Sequence, residues 1–467
     1  MDINSLGGEF LKIVLLSGGS GKRLWPLSND ARSKQFLKVL PSPERKSESM
    51  VQRVWRQLED VGLADHTLVA TGKAQAEMIH NQLGPEVPLV VEPDRRDTFS
   101  AIALAAVYLF SKLDVSTEEV ITILPVDPYV ETDFFENVKA LEDVLATSGA
   151  DIALIGVQPT YPSSKYGYII PEAEAAARTY KKVTQFKEKP TEEQAERLLL
   201  QDALWNCGVF AFKLDYLISL LIEKGYPIHY ETLLQDYETL PKISFDYEVL
   251  EKAERVVVMP YEGYWKDLGT WNTLTEEMDG RLMGKGVISE DSRNTHVVNE
   301  LDIPVTVLGL SDIVVAASPD GILVTDKSAS PRVKDLLKSY DERPMYEERR
   351  WGWYKVLDYV RHGEKEEVLT KRICMRAGKN SSYQVHYKRS EVWTFTKGKG
   401  EVVINDRLIP VKAGDVWQIP VGTKHAVRAE TDLEFIEIQS GSELIEEDIA
   451  RLLMTWDEIR DYCLSKL

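Results

Sequence analysis

The stretch Ile13-Val14-Leu15-Leu16-Ser17-Gly18-Gly19-Ser20-Gly21-Lys22-Arg23-Leu24-Trp25-Pro26-Leu27 is an apolar run that breaks into a glycine-rich loop. Four apolar residues in a row, bounded by turn formers, predict a strand buried on both faces. The three glycines then let backbone N–H groups close on the oxygens of an anion. Two common phosphate loops are excluded by spacing. Leu16 stands five before Gly21 and Arg23 follows Lys22, against a Walker A pattern, and Leu24 occupies the place of the last glycine in a dinucleotide fingerprint. Lys22, Arg23, Arg32, Lys34 and Lys38 crowd the same stretch with Asp30 as the lone acid, so a cationic pocket is expected beside the glycines. The plainer reading, a tight turn with solvated basic residues, does not account for that clustering.

Outward from this loop the pattern is alternating. Leu68–Ala70, Leu89–Val91, Val120–Pro125 and Ile152–Val157 are further strand-like runs separated by helical stretches, which predicts an α/β domain with a mostly parallel sheet to about Leu274. Asp97-Thr98 is expected to cap a crossover helix through Ala101, Ile102, Leu104, Ala105 and Leu109. After Gly280 the texture changes to short β-branched runs, Val297-Val298, Val305–Val307, Ile313–Val315 and Ile322–Val324, which predict a β-rich connector. Lys338–Arg350 is charged and reads as an exposed linker, and strands and turns then alternate up to a helical tail over Ser442–Leu467. The expected division is 1–280, 281–346 and 347–467.

With 467 residues the chain has length for about two to three domains, and 43 % apolar with 28 % charged residues is ordinary globular usage. A formal charge of −19 argues against nucleic acid or an anionic membrane as partner. Cys207, Cys374 and Cys463 are odd in number and far apart, which favours a reducing, cytoplasmic setting over a disulfide framework. Asp2 and Glu9 stand where an export signal would be basic. The longest apolar stretch, Ala101–Phe110, is about half of the roughly 20 residues that cross a bilayer.

Gly18 through Ser28, followed by Lys34-Gln35-Phe36-Leu37, closely resembles the signature of mannose-1-phosphate guanylyltransferases. The resemblance implies a Rossmann-like nucleotidyltransferase domain in which Gly18, Gly19, Ser20, Gly21 and Lys22 bind the nucleotide and Arg23 and Lys34 neutralise phosphate. Lys22 replaces the usual threonine or serine. Glu92-Pro93 through Thr98 is similar to the family's base-binding loop, making Glu92 and Thr98 nucleotide contacts, although Asp97, Phe99 and Ser100 depart from its pattern. Leu124-Pro125-Val126-Asp127 places a carboxylate at the C-terminal edge of a buried strand, where open α/β sheets bind ligands. It resembles the family's metal motif, with Pro128 in place of a histidine. Trp265-Lys266-Asp267-Leu268-Gly269 resembles the second such motif, and Asp127 and Asp267 are the expected Mg²⁺ ligands. Tyr166-Gly167-Tyr168, Phe186-Lys187-Glu188-Lys189-Pro190 and Trp205-Asn206-Cys207-Gly208 resemble the sugar-phosphate side. Gly167 would line it, Glu188 and Asn206 would bind hydroxyls, and Lys189 would hold the phosphate.

Farther on, Gln384-Val385-His386-Tyr387-Lys388-Arg389-Ser390-Glu391, then Gly398, Gly414, Pro420, Gly422 and His425, resemble both motifs of a cupin, an all-β barrel. Gln384 and His386 project to one face of a strand, Glu391 falls on the next, and His425 follows a Pro-x-Gly turn, so four donors can converge on a divalent metal, zinc being one candidate. The order resembles the type II mannose-6-phosphate isomerase half of bifunctional enzymes, with Lys388, Val392 and Trp417 as departures, and Arg389 matches its arginine, a candidate phosphate contact. The resemblance covers nearly the whole chain. It implies a guanylyltransferase making GDP-mannose from GTP and mannose 1-phosphate, with an isomerase for fructose 6-phosphate and mannose 6-phosphate attached; a homo-oligomer is compatible with it. Two rivals stand: a nucleotidyltransferase for another sugar 1-phosphate, and a cupin whose metal serves sensing or assembly without chemistry.

Overall fold

The computed structural model describes residues 12–19, 21–29, 32–43, 47–173, 179–338, 340, 342–363, 366–445 and 448–466. Ser20 lies outside them. The chain divides into two compact units. The first comprises Met1–Leu24, Ser33–Arg281 and Lys327–Val333, and the second Trp25–Arg32, Leu282–Asp326 and Lys334–Leu467.

In the first unit the strands are β1 (Lys12–Ser17), β2 (Thr67–Gly72), β3 (Leu89–Glu92), β4 (Val120–Pro125), β5 (Pro128–Val130), β6 (Ile152–Val157), β7 (Tyr168–Pro171), β8 (Lys181–Lys187), β9 (Leu204–Lys213), β10 (Val256–Tyr261) and β11 (Trp265–Asp267). Nine of them form one sheet in the order β3-β2-β1-β4-β9-β6-β10-β8-β7. All five apolar runs recognised in the sequence are strands of this sheet. β1 pairs in parallel with β2 and β4, β2 with β3, and β6 with β10. β9 runs in reverse between β4 and β6 and makes the sheet mixed at its centre. Along β1, Ile13 and Leu15 enter one core and Val14 the other, which is why the run is apolar without alternation.

The expected crossover helix spans Asp97–Lys112 and buries Ala101, Ile102, Leu104, Ala105 and Leu109. Its cap differs from the expectation. Asp97 is the first helical residue, at φ +67°, and its carboxylate accepts from the adjacent Thr98 N–H at 2.8 Å, while Thr98 Oγ1 accepts from Phe245 N–H at 2.9 Å. Both side chains are thus committed to the loop, and neither caps the helix.

The second unit begins with the connector: β12 (Leu282–Met283), β13 (Gly286–Ile288), β14 (His296–Asn299), β15 (Val305–Val307), β16 (Ile313–Ser318) and β17 (Gly321–Asp326). β12, β14 and β16 stack in parallel, as do β13 and β15, in the manner of β-helix rungs around Val297, Val307 and Val315. Arg32 belongs here. Its guanidinium grips Glu300 through two bonds of 2.9 Å and lies over Tyr346, so it is not part of the cationic pocket expected beside the glycine loop.

The barrel that follows has strands β18 (Tyr346–Arg349), β19 (Gly352–His362), β20 (Glu366–Met375), β21 (Tyr383–Val385), β22 (Arg389–Lys397), β23 (Lys399–Ile404), β24 (Arg407–Lys412), β25 (Val416–Ile419), β26 (His425–Ala429), β27 (Leu433–Gly441) and β28 (Ala450–Leu453). They form a six-stranded sheet, β18-β19-β20-β27-β22-β25, and a five-stranded one, β24-β23-β26-β21-β28. Two expectations are corrected. The end of the charged linker is strand β18, in which Glu347 is buried and neutralised by Arg349 at 2.6 Å, so local charge hid an edge strand. The tail contributes β28 before a shorter helix, Trp456–Leu464, capped by a Thr455–Glu458 box.

Candidate active site and metal centre

Three local devices assemble the site of the first unit. β4 ends at Pro125, and Asp127 sits between it and β5. β5 pairs antiparallel with β11 in a register that sets Pro128 opposite Asp267, so the two carboxylates become neighbours across the ladder. Lys34 opens a short 3₁₀ turn, Lys34–Phe36, held down by fully buried Phe36. Gln35 in that turn donates to Ser17 Oγ at 3.3 Å and fastens it to the head of the glycine loop.

The Lys34 ammonium lies 2.7 Å from Asp127 Oδ2 and 3.0 Å from Asp267 Oδ1. Burial alone would lower its pKa, but Asp127 and Asp267 outweigh burial and hold it above the lysine range. Burial likewise would raise Asp267, yet Lys34 and then Arg23 hold it below its ordinary value. The Lys34 ammonium is therefore gripped between two carboxylates, a donor set of hard oxygens that fits Mg²⁺.

Asp127, Gly18 and Gly19 line a cavity of about 590 Å³ together with Glu92, Thr98 and Asp246. Gly19 has φ +110°, a conformation that side-chain-bearing residues rarely adopt. Glu92 is buried and accepts from Tyr237 Oη–H at 2.6 Å; burial pushes its carboxyl up. Gly21 and Lys22 lie in the 3₁₀ turn after the loop, with Arg23, which is exposed.

On the sugar-phosphate side, Glu188 is only 6 % exposed; its Oε1 accepts from Lys189 Nζ at 2.7 Å, and its Oε2 has no hydrogen-bond partner among the described residues. Lys189 itself sits at φ +44°. Gly167 makes this arrangement fit, since a Cβ there would lie 2.4 Å from Glu188 Oε2. Asn206 donates its backbone N–H to Gly167 O at 2.8 Å and its amide Nδ2–H to Asp246 Oδ1 at 2.7 Å, while its Oδ1 accepts from Gly208 N–H at 3.0 Å. The sequence does not single out Gln35, Tyr237 or Asp246 as functional candidates: Gln35 stands within the Lys34–Leu37 signature with no role of its own there, and Tyr237 and Asp246 act through long-range contacts, to Glu92 and Asn206, for which no local pattern exists.

In the barrel, donor atoms of His386, Glu391 and His425 lie within 4.8 Å of one another, and all three side chains are buried. His386 Nδ1–H donates to Asp448 O and His425 Nδ1–H to Thr423 O at 2.9 Å, which leaves both Nε2 lone pairs facing Glu391 at 3.4 and 3.6 Å. Burial pulls both imidazoles below their ordinary value and so keeps them neutral, as metal ligation requires. Burial would raise Glu391, but the Arg389 guanidinium bonded to it opposes burial and holds the carboxyl below its ordinary value. The set fits a divalent transition metal. Gln384 lies beside it but does not present the ligating oxygen expected of it: its amide nitrogen is 3.3 and 3.4 Å from the two Nε2 atoms, and its Oε1 is turned away and accepts from Ser382. Arg389 departs from its expected phosphate role. It is buried, bonded through Nε to Glu391 at 3.1 Å and through Nη1 to Ile445 O at 3.0 Å, with Nη2 3.2 Å from His386 Nε2.

The fold is that of a nucleotidyl transferase, and the family model of that description matches residues 12–282, the part of the chain that holds the Asp127–Lys34–Asp267 cluster. A second model, the C-terminal domain of mannose-6-phosphate isomerase, matches residues 340–453. The chain belongs to the family of mannose-1-phosphate guanylyltransferases that carry this C-terminal isomerase domain. It is 31 % identical to the alginate biosynthesis protein AlgA of Pseudomonas syringae pv. tomato, over 94 % of this chain and 95 % of that one. It is 29 % identical to a mannose-1-phosphate guanylyltransferase of Salmonella montevideo, over 94 % and 98 %. A crystal structure described as a mannose-1-phosphate geranyltransferase from Thermus thermophilus covers 70 % of this chain and 98 % of its own, at 30 % identity and a TM-score of 0.57.

Proposed function

We propose that the first unit transfers GMP from GTP to mannose 1-phosphate, giving GDP-mannose and pyrophosphate. The observation that carries this reading is the Asp127–Lys34–Asp267 cluster, with Asp127 in the wall of the cavity into which the glycine loop opens. A sugar 1-phosphate is already an anionic nucleophile. Its oxygen attacks the α-phosphorus in line, the bond to the β-phosphate oxygen breaks, and no general base is needed.

The chain's own work is positioning and neutralisation. Backbone at Gly18 and Gly19, with Ser20, Gly21 and Lys22, cradles the triphosphate. Lys34, held protonated by its two carboxylates, is a fixed positive charge and Arg23 is a second. Asp127 and Asp267 would hold Mg²⁺, which when bound draws charge from the phosphate oxygens. Glu92 and Thr98 face the nucleotide base. Glu188 offers its unpartnered oxygen to a sugar hydroxyl, Asn206 adds an amide, Gly167 leaves room, and Lys189 pairs with the sugar's phosphate. Asp267→Asn should lower kcat for GDP-mannose formation by about 10²–10³-fold in a pyrophosphate-release assay; an unchanged kcat would remove Asp267 from the mechanism. A panel of sugar 1-phosphates separates mannose from rival sugars.

A second activity is favoured by the tautomers in the barrel. His386, Glu391 and His425 would hold a divalent metal, Zn²⁺ being a candidate, with Gln384 a fourth ligand once its amide turns its oxygen inward; the metal would polarise a sugar carbonyl during interconversion of fructose 6-phosphate and mannose 6-phosphate. Arg389 acts there by orienting Glu391. His386→Ala should abolish turnover in a coupled isomerase assay; a wild type without turnover leaves the metal an assembly or sensing role. The chemistry suits three parts, 1–280, 281–346 and 347–467, working in the cytoplasm on small molecules. No helix among the described residues is long and apolar enough to cross a membrane.

A further inference from the structure

The nucleotide loop and the sugar-phosphate side are tied together by one segment. Arg96 Nη1–H donates to Leu240 O at 2.9 Å, Ser100 Oγ–H to Pro241 O at 2.9 Å, Phe99 N–H to Ile243 O at 3.2 Å, and Phe245 N–H to Thr98 Oγ1 at 2.9 Å. These bonds stitch Arg96–Ser100 onto Leu240–Phe245 edge to edge. Phe245 is fully buried and stacked on Phe210 and Phe212 of β9, with ring centroids 5.2 and 5.7 Å away. That is the strand that carries Asn206.

The next residue is Asp246, in the cavity wall, accepting from the Asn206 amide. An amide can present its oxygen or its nitrogen to a ligand, and its neighbours decide which. Asp246, whose ionised carboxylate can only accept, and the Gly208 N–H, which only donates, fix the Asn206 amide in one orientation. Asn206 in turn holds Gly167 O, and Gly167 is the position that admits Glu188 and its unpartnered oxygen. At the other end of the path, Asp97 holds the loop in the left-handed region at φ +67°, a conformation that persists only where surrounding contacts enforce it.

We infer that Asp246 is a positioning residue through which occupancy of the nucleotide loop tightens binding of the sugar phosphate, by way of Thr98, Phe245 and the Asn206 amide. This rests on the nucleotide and sugar-phosphate assignments proposed above. The two ligands need not touch for the coupling to exist, and it is reciprocal.

The test titrates mannose 1-phosphate calorimetrically into the full chain, with and without a non-hydrolysable GTP analogue and Mg²⁺. The analogue should tighten mannose 1-phosphate on the order of tenfold in the wild type. With the analogue held at saturation for each variant, Thr98→Val and Asp246→Ala should reduce the tightening to about twofold or less, whereas Thr98→Ser and Asp246→Asn, which keep the acceptor oxygens, should retain it. If both ligands bind the wild type but neither affects the other, or if tightening persists in Thr98→Val, the coupling path is wrong while the transferase reading stands. If the wild type binds neither ligand, the transferase reading falls and takes this inference with it. Thr98→Val, remote from Asn206, carries the test should Asp246→Ala fail to fold.

Discussion

Glu188 has one carboxylate oxygen paired with Lys189 and the other buried with no partner among the described residues. A buried polar atom left unmade costs about 1–3 kcal/mol, a cost that folding alone does not explain and a ligand hydroxyl would offset. Glu188→Gln should therefore raise KM for the sugar phosphate by about 5- to 150-fold while leaving the unfolding midpoint level or higher; a lowered midpoint with unchanged KM would make Glu188 merely structural. Asp246 supplies a pH test. Burial first, and the Glu188 charge next, push its carboxyl from 3.8 up to about 6. The folded state then binds more protons than the unfolded one between those values, so this group makes stability fall as pH rises through that window. Asp246→Asn should be more stable than the wild type above pH 6, with the difference vanishing near pH 4 in denaturant titrations. A pH-independent difference would mean that Asp246 titrates normally. Glu188 was legible because a short motif contains it. Asp246 was not, since a lone aspartate in Ser244-Phe245-Asp246-Tyr247 gains meaning only from an amide 40 residues away.

Among the elements, the β5–β11 ladder does the most for the site, because its register alone makes Asp127 and Asp267 neighbours. Both strands have three residues, too short for any periodicity, so the sequence offered each aspartate separately and not their meeting. The long strands were legible for the opposite reason: runs such as Ile13–Leu16 are buried on both faces and must be apolar throughout. β18 escaped notice because an edge strand carrying paired charges looks like a linker. Gly167 on the loop before β7 gives an element-scale prediction. Gly167→Ala places a methyl 2.4 Å from Glu188 Oε2 and should raise KM for the sugar phosphate with KM for GTP unchanged, read in initial-rate kinetics. Equal changes in both constants would point to general distortion. By contrast, Ser49→Ala, which removes the capping box of the helix Met50–Asp60, should cost about 1 kcal/mol in thermal unfolding and leave both constants alone.

At the scale of the whole molecule, two units carry two metal-suited donor sets of different character, carboxylates in the first and neutral imidazoles with one carboxylate in the second. Stripping metal with a chelator should lower the unfolding transition of the barrel, where ligation is coupled to folding, and leave binding of the GTP analogue measurable once Mg²⁺ is restored. A barrel transition that ignores the chelator would remove metal from its stability. The change of texture after Gly280, from long apolar runs to short β-branched ones, coincides with the start of the short connector strands β12 to β17. The inward turn of Arg389 was not legible, because a strand pattern tells which face a side chain takes but not which partners meet it there. The central claim is tested most directly by pyrophosphate release from the purified chain with Mg²⁺ across a grid of nucleoside triphosphates and sugar 1-phosphates, with Asp127→Ala as control. The account predicts turnover concentrated on GTP with mannose 1-phosphate and lost in the control; turnover with no pair, or turnover that survives Asp127→Ala, would contradict it.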